Sequence, residues 1–460
     1  MDESGNGCYM KLLFVHQHFG ALGGAEANIQ ITASELQKRG HEIALLHQTR
    51  TGRSEESWRE TFPETFQLPK ENRLARANAI LKQFAPDVIY LHNLDDLNVM
   101  EALMESSVPV IRKVHDHSMY CMRGYKYNPL TRAICTRPAS LYCVFPCMAS
   151  VKRNRGGVLP LKLASYAATR REIRINRRCK RLLVYSDYSK AELIRNGFEA
   201  EKIHLHVPMR CWGQQGPVSS FSERNLILFA GQIIRGKGVD LLLKALAKVT
   251  TPFECVILGD GHHRAFCERL CKKLGLADRV HFRGFVPTEE LQKFYLDASV
   301  FAVTSVWPEP FGLVGPEAMR YGLPVVAFDA GGISEWLKDG ENGYLAPWMD
   351  TGRFALCLDK LLRNKTLARE FGQRGLERVN REYDASLRMA ELENLFHEVI
   401  AETGNGSKTK ATRAGAGLFG TRRNAVQLGL TPAETRTTTG MPLPREMTLT
   451  DSIAVQPINL

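Results

Sequence analysis

The sequence predicts an α/β protein made of two Rossmann-like, parallel-sheet domains that face a central cleft. Three observations carry that expectation. Apolar strand-like runs alternate with amphipathic helical runs in two separate series, one opening at Lys11 and the other at Asn225. A stretch bearing Gly213, Gly216, Pro217 and several serines separates them. The chain of 460 residues, 44% of them hydrophobic and 24% charged, is long enough for two cores. The expected organisation is a first domain over 9–207, a linker over 208–223, a second domain over 224–383, a closing helix over 384–402 that crosses back, and a disordered tail over 403–460.

Composition removes several function classes. No apolar run approaches the roughly 18 to 20 residues of a membrane span. Met1 to Gly7 is acidic and polar, which does not suit a signal peptide, so the expected location is cytoplasmic, with any membrane contact at the inner face. Eleven cysteines, an odd number scattered along the chain, argue against a secreted disulfide framework. The formal charge of +12 points to an anionic partner, and it is clustered.

In the first half, Lys11 to Val15 reads as a strand, Phe19 to Gly24 as a turn, and Ala25 to Arg39 as a helix with Ile29, Ala33 and Leu36 on one face. Glu42 to Leu46 is the next strand. Gly20, Gly23 and Gly24 do not follow the G-x-G-x-x-G spacing, which excludes a nicotinamide cofactor as the expectation. Asp87 to Leu91 and Pro109 to Val114 supply further strands, the second running into His115-Asp116-His117. A loop-like segment then carries Cys121, Cys135, Cys143 and Cys147. Four thiolates from one loop suit a structural zinc ion, with His117 as a further ligand. Without a C-x-x-C pair, buried free thiols or a disulfide fit the same pattern.

Residues 152–181 hold eleven Lys and Arg against the single acid Glu172, with Leu161, Leu163, Ile173 and Ile175 interleaved. That is a basic amphipathic surface for anionic lipid or a lipid-phosphate acceptor. Nucleic acid is not expected, because no module for it is present and the aromatics form no stacking platform. Leu182 to Tyr185, a helix opening at Ser186, and Ile203 to Val207 complete the first domain.

The second series opens with Asn225 to Gly231, followed by the turn Gln232 to Gly238 and a helix from Val239. Arg235 and Lys237, in a glycine-flanked strand-to-helix turn, are placed to neutralise a diphosphate. Glu254 to Leu258 leads into Gly259, and Val280 to Gly284 into Phe285-Val286-Pro287. Val300 to Ser305 is an apolar strand whose carboxyl end carries Trp307-Pro308-Glu309-Pro310-Phe311-Gly312-Leu313, and Pro316 suits a first helical position. Taken alone, Glu317 merely complements a helix dipole and Glu309 is an exposed loop acid.

The pair Glu309 and Glu317, in the setting Glu-Pro-Phe-Gly…Pro-Glu-Ala, resembles the two-glutamate signature of retaining nucleotide-sugar glycosyltransferases of the GT-B fold, family 4 above all. The resemblance runs from about Met10 to Ile400 and is most specific between Gly231 and Leu345. It implies that a nucleotide-diphosphate sugar is the donor and a glycan or lipid-linked hydroxyl the acceptor, with no obligatory cofactor. Gly23 and Gly24 would approach the donor's phosphates and sugar, and His115 would assist near the sugar by hydrogen bonding. Lys237 matches the family's diphosphate lysine. Gln232 stands where an arginine is expected, and Arg235 is the proposed replacement. Gly259, Phe285 and Val286 would border the nucleotide, with the base against Phe285 and Val286. Glu309 would hold sugar hydroxyls and Glu317 the ribose. The N–H groups of Phe311, Gly312, Leu313 and Val314 would orient sugar and phosphate. An epimerase or hydrolase of the same fold would turn over donor without acceptor, and a non-catalytic binder would not turn it over at all.

Overall fold

The computed structural model describes residues 9–20, 23–128, 131–153, 161–207, 216–221 and 224–404, which belong to one compact unit. The expected tail beyond 404 and most of the expected linker lie outside the described residues. Two parallel sheets organise the rest. The first has the order Ile203–Leu205, Arg181–Val184, Val110–Lys113, Val88–Leu91, Lys11–Val15, Glu42–His47, Glu64–Gln67. The second has the order Val280–Gly284, Glu254–Leu258, Leu226–Ala230, Val300–Val303, Val325–Phe328, Gly343–Ala346.

The central strands carry continuous apolar runs because both their faces are buried. Leu12, Leu13, Phe14 and Val15 are all fully buried, as are Val300, Phe301 and Ala302, so a continuous apolar run suits the site better than alternation. Glu64–Gln67 has no such run. It is an edge strand with Phe66 its only buried residue, and its hydrophobic pattern alone does not reveal it.

Both sheets wind outward from their first strand and then return to its other side. The reversal lies between Lys11–Val15 and Val88–Leu91 in the first sheet, and between Leu226–Ala230 and Val300–Val303 in the second. At such a switch point the two loops diverge and leave a crevice at the carboxyl edge. The two carboxyl edges meet. Past the first sheet's strand ends, His117 Nε2 donates to the Pro308 carbonyl at 2.7 Å and Ser186 Oγ to the Pro310 carbonyl at 2.6 Å.

The last helix, Ala385–Thr403, is capped by Asp384, which accepts from the Leu387 N–H at 2.9 Å. Its apolar face, Met389, Leu392, Phe396 and Val399, lies in the first domain's core, with the Phe396 and Tyr90 rings 5.4 Å apart. Glu393 adds an ion pair with Arg39 at 2.8 Å and a hydrogen bond with His41 Nε2 at 2.9 Å. The first strand, Lys11–Val15, and the last described helix, Ala385–Thr403, therefore share one domain.

Candidate active site

On the second sheet, the loops after Leu226–Ala230 and Val300–Val303 are neighbours, and their side chains converge. Lys237 Nζ donates to Glu309 Oε1 at 2.6 Å, and the same oxygen accepts from Trp307 Nε1 at 2.7 Å and Ser305 Oγ at 2.5 Å. Glu309 is only 4% exposed, so its charge is supported by this cage of donors rather than by water. Lys237 also sits 5.1 Å from the Trp307 ring centroid.

The backbone that permits this is glycine-built. Gly238 has φ +69°, and a Cβ there would meet the Thr304 carbonyl oxygen at 1.9 Å. Gly331, at φ +70°, lies under the loop, where a Cβ would meet the Glu309 carbonyl oxygen at 2.4 Å. Gly259 is needed for a similar reason, since a Cβ there would meet the Gly231 carbonyl oxygen at 2.0 Å; this explains the residue without a ligand.

Other expected donor contacts fall around this centre. Arg235 is exposed in a short 3₁₀ turn, Arg235–Lys237, and Gln232 is exposed beside it. Phe285, 80% exposed, stands at the carboxyl end of Val280–Gly284 next to half-buried Val286. Phe311 is core instead: its ring packs 5.5 Å from Tyr383 and its carbonyl accepts from Trp336 Nε1 at 2.6 Å. Gly312 takes φ +84°, and Leu313 faces Gly24 across the cleft, 4.0 Å from where a Cβ would stand. The helix Val314–Arg320 starts two residues before Pro316, not at it. Pro316 is third in the helix, still inside the first turn where an N–H has no intrahelical partner. Glu317 is half-buried in that turn.

The first domain's edge is a network of imidazoles. His115, buried, has Nε2 2.9 Å from His92 Nδ1 and Nδ1 2.7 Å from the Tyr185 hydroxyl. Burial first, then the charges of Lys113, His16 and Arg112, pushes its pKa far below the ordinary 6.5, so the ring is neutral. The contacts His115 makes are thus with its own domain, and it is His117 that reaches the donor-side loop. Because Pro308 offers only a carbonyl, His117 carries its proton on Nε2 and accepts from the Tyr120 hydroxyl at Nδ1, 2.7 Å away. Gly23 and Gly24 are exposed, but the Gly23 N–H donates to Glu26 Oε2 at 2.9 Å. Burial pushes the Glu26 carboxyl up, and hydrogen bonds from His16 and backbone N–H groups outweigh it, leaving the pKa lowered. Tyr185 and His92 have no local signal in the sequence that marks them as site residues. Trp307, two residues from Glu309 in the same loop, does have one.

Cys121, Cys135, Cys143 and Cys147 are half-buried free thiols. Burial pushes the Cys143 thiol up, against a hydrogen bond with the Ser140 backbone that pulls it down. Among the described residues, no three His, Cys, Asp or Glu side chains are grouped to hold a metal ion. The basic segment is partly consumed by its own domain: Arg171 pairs with Glu101 at 2.5 Å and Arg178 with Glu105 at 3.9 Å. Arg170, Arg174 and Arg177 remain exposed on the helix Tyr166–Asn176 and at its end, around a pocket of about 320 Å³.

Two doubly wound domains whose switch-point edges face one cleft define the GT-B class of glycosyltransferases. The family model "Glycosyltransferase Family 4" matches residues 22–206, and "Glycosyl transferases group 1" matches 214–378. The chain belongs to glycosyltransferase family 4. Solved structures share the fold: Anabaena HepE in complex with UDP and glucose has a TM-score of 0.64 at 18% identity, over 85% of this chain and 100% of that one. Sucrose-phosphate synthase from Thermosynechococcus elongatus has a TM-score of 0.65 at 19% identity, over the same shares. Among curated relatives, an uncharacterized glycosyltransferase of Methanocaldococcus jannaschii is 40% identical over 142 residues, 30% of this chain and 36% of that protein. The phosphatidyl-myo-inositol mannosyltransferase of Mycobacterium leprae is 34% identical over 184 residues, 39% of this chain and 48% of that protein. The matched part thus spans about half or less of each of these relatives.

Proposed function

We propose that the protein is a retaining, hexosyltransferase-type enzyme that moves a sugar from a nucleotide-diphosphate sugar to an acceptor hydroxyl in glycan, polysaccharide or glycolipid synthesis. The observation that carries this reading is the 2.6 Å Lys237–Glu309 contact at the second domain's switch point, opposite the first domain's edge. A lysine held there by a carboxylate can exchange that partner for the more highly charged diphosphate. The released carboxylate then accepts hydrogen bonds from sugar hydroxyls.

As the bond between sugar and diphosphate breaks, negative charge grows on the departing phosphate oxygen. Lys237 and Arg235 oppose that charge most strongly in the transition state, which is what lowers the barrier, and the scheme needs no metal. The acceptor hydroxyl attacks from the face the diphosphate leaves and passes its proton to the departing phosphate oxygen, so configuration is kept. Neutral His115 gives up its contact with His92 or with Tyr185 to hydrogen-bond the sugar, and is not a nucleophile. Glu317 holds the ribose, Phe285 and Val286 border the base, and the N–H groups of Phe311 to Val314 orient sugar and phosphate. The UDP and glucose bound by the Anabaena protein support the donor class. A lipid-linked acceptor is in keeping with the phosphatidyl-myo-inositol mannosyltransferase and a lipopolysaccharide core glycosyltransferase of Rhizobium meliloti among the relatives. The exposed Arg170, Arg174 and Arg177 would then meet anionic lipid at the inner face of the cytoplasmic membrane.

Incubating the protein with a panel of nucleotide sugars, with and without a membrane lipid extract, tests the reading through diphosphate release. Acceptor-dependent release is expected. Release without acceptor would assign a hydrolase or epimerase, binding without release a carrier, and neither binding nor release for any donor would sink the proposal.

A further inference from the structure

Between His117 and Cys143 the first domain sends out an insertion whose arms, 126–128 and 131–135, pair with each other. Cys135 N–H donates to the Lys126 carbonyl at 2.7 Å and Asn128 N–H to the Ala133 carbonyl at 2.9 Å. At its base, buried Lys126 lies 2.8 Å from Glu192 Oε2 on the first domain's helix Asp187–Arg195, a charge contact rather than an aligned hydrogen bond. At its far end, one guanidinium nitrogen of Arg132 reaches both oxygens of Asp240 at 3.0 and 2.9 Å. Asp240 belongs to the second domain, in the first turn of the helix Val239–Leu246. Both members of this pair are buried.

The tie lands on the donor-side machinery. The helix that holds Asp240 follows directly on the turn carrying Arg235 and Lys237. The Tyr127 hydroxyl lies against Gly236, 3.3 Å from where a Cβ would stand. The Gly236 carbonyl in turn accepts from Val306 N–H at 2.8 Å and Trp307 N–H at 3.3 Å, in the loop that carries Glu309. The Thr304 hydroxyl donates to the Lys237 carbonyl at 3.0 Å. The position of the lysine is therefore set from two sides, by its own domain's loop and by an arm of the other domain.

We infer that Arg132 is a positioning residue for the donor's diphosphate, contributed by the first domain: its pair with Asp240 clamps the insertion onto the turn that presents Lys237. The inference rests on the donor reading proposed above. The other charged neighbour of Asp240, His263 Nε2, stands farther off at 3.7 Å, so a buried charge that loses the Arg132–Asp240 contact is left poorly matched and breaking the pair displaces the turn. Such a displacement weakens contacts to the diphosphate and spares those to the nucleoside, which lie elsewhere along the strand edge. Losing one hydrogen bond to a charged group costs about 10- to 100-fold in affinity.

The test is calorimetric titration of the full chain with UDP, GDP and ADP, each beside its nucleoside. Arg132→Met is expected to lose diphosphate affinity about 10- to 100-fold while nucleoside affinity stays within about twofold. Asp240→Asn, which keeps the side-chain shape, is expected to do the same. Equal diphosphate affinity in wild type and variants, or a parallel loss for nucleoside and diphosphate, overturns the inference. If Arg132→Met does not fold, Asp240→Asn decides, and if neither folds the pair is a folding requirement and the inference falls. A wild type that binds no nucleoside diphosphate removes the donor reading itself, and this role with it.

Discussion

At the first sheet's switch point the chain places His16 and His92, with His115 and Tyr185 one and two strands further along. At the second it places Gly231, Gly238 and Glu309. The windings match, but the first edge is held by side chains bonded to one another: His16 to Glu26 at 3.3 Å, His92 to His115 at 2.9 Å, His115 to Tyr185 at 2.7 Å. The second is held by backbone packed on backbone, at distances only glycine allows, around one caged carboxylate. A side-chain network depends on which atoms carry protons. A backbone network depends on the absence of Cβ. The first edge should therefore answer to pH and the second to substitution, and the following experiments press on that contrast from the largest effect down.

Glu309→Gln removes the charge that Lys237, Trp307 and Ser305 support, and should lower turnover by about 10²- to 10³-fold while thermal unfolding shifts little. A parallel collapse of stability would make Glu309 a structural rather than a chemical group. Gly238→Ala combines a left-handed φ with a clash on the Thr304 carbonyl, and should cost about 2–4 kcal/mol in urea unfolding. A cost under about 0.5 kcal/mol would break the claim that the second edge is backbone-limited.

His115→Ala leaves the partners at His92 and Tyr185 unmet in a buried site, and about 1–3 kcal/mol of stability should go. The pH response follows from His92, His115 and His206, the last buried just past the strand Ile203–Leu205 of the same sheet, with Nδ1 3.2 Å from Lys113 Nζ. Their pKa values lie below the ordinary 6.5, with burial the main cause in each, and that of His206 is about 3. The unfolded chain takes up protons at these rings below about pH 6.5 while the folded chain does not. Stability is thus complete above that pH and is lost as pH falls toward the folded values, by up to about 1.4 kcal/mol per unit for each ring. A melting temperature flat from pH 7 to 5 would contradict the neutral assignment. The smallest effect is expected from Arg235→Ala. Arg235 is exposed, so donor affinity should weaken by about three- to tenfold, and an unchanged affinity would remove Arg235 from the phosphate side.

Much of this was legible locally. Lys237 sits in a glycine-flanked turn and Glu309 between two prolines at a strand end, so their placement follows from the few residues around them. The helix Ala385–Thr403 shows its apolar face in the spacing of Leu392, Phe396 and Val399. What stayed hidden is pairing over long separations. His115 finds His92 and Tyr185 through three strand ends, and Arg132 finds Asp240 across 108 positions. The partners of Arg171 and Arg178 in the basic stretch, Glu101 and Glu105, lie on another helix and are likewise set by the tertiary structure.

The sequence by itself determined the two α/β series, their glycine turns and the residue types that stand at each strand end, because hydrophobic period and backbone stereochemistry act within a few residues. Only the tertiary structure decided which charges meet. Lys237 against Glu309, His117 against Pro308 and Arg132 against Asp240 all depend on strand order and on how two domains face each other, and no local propensity encodes a partner chosen that far away.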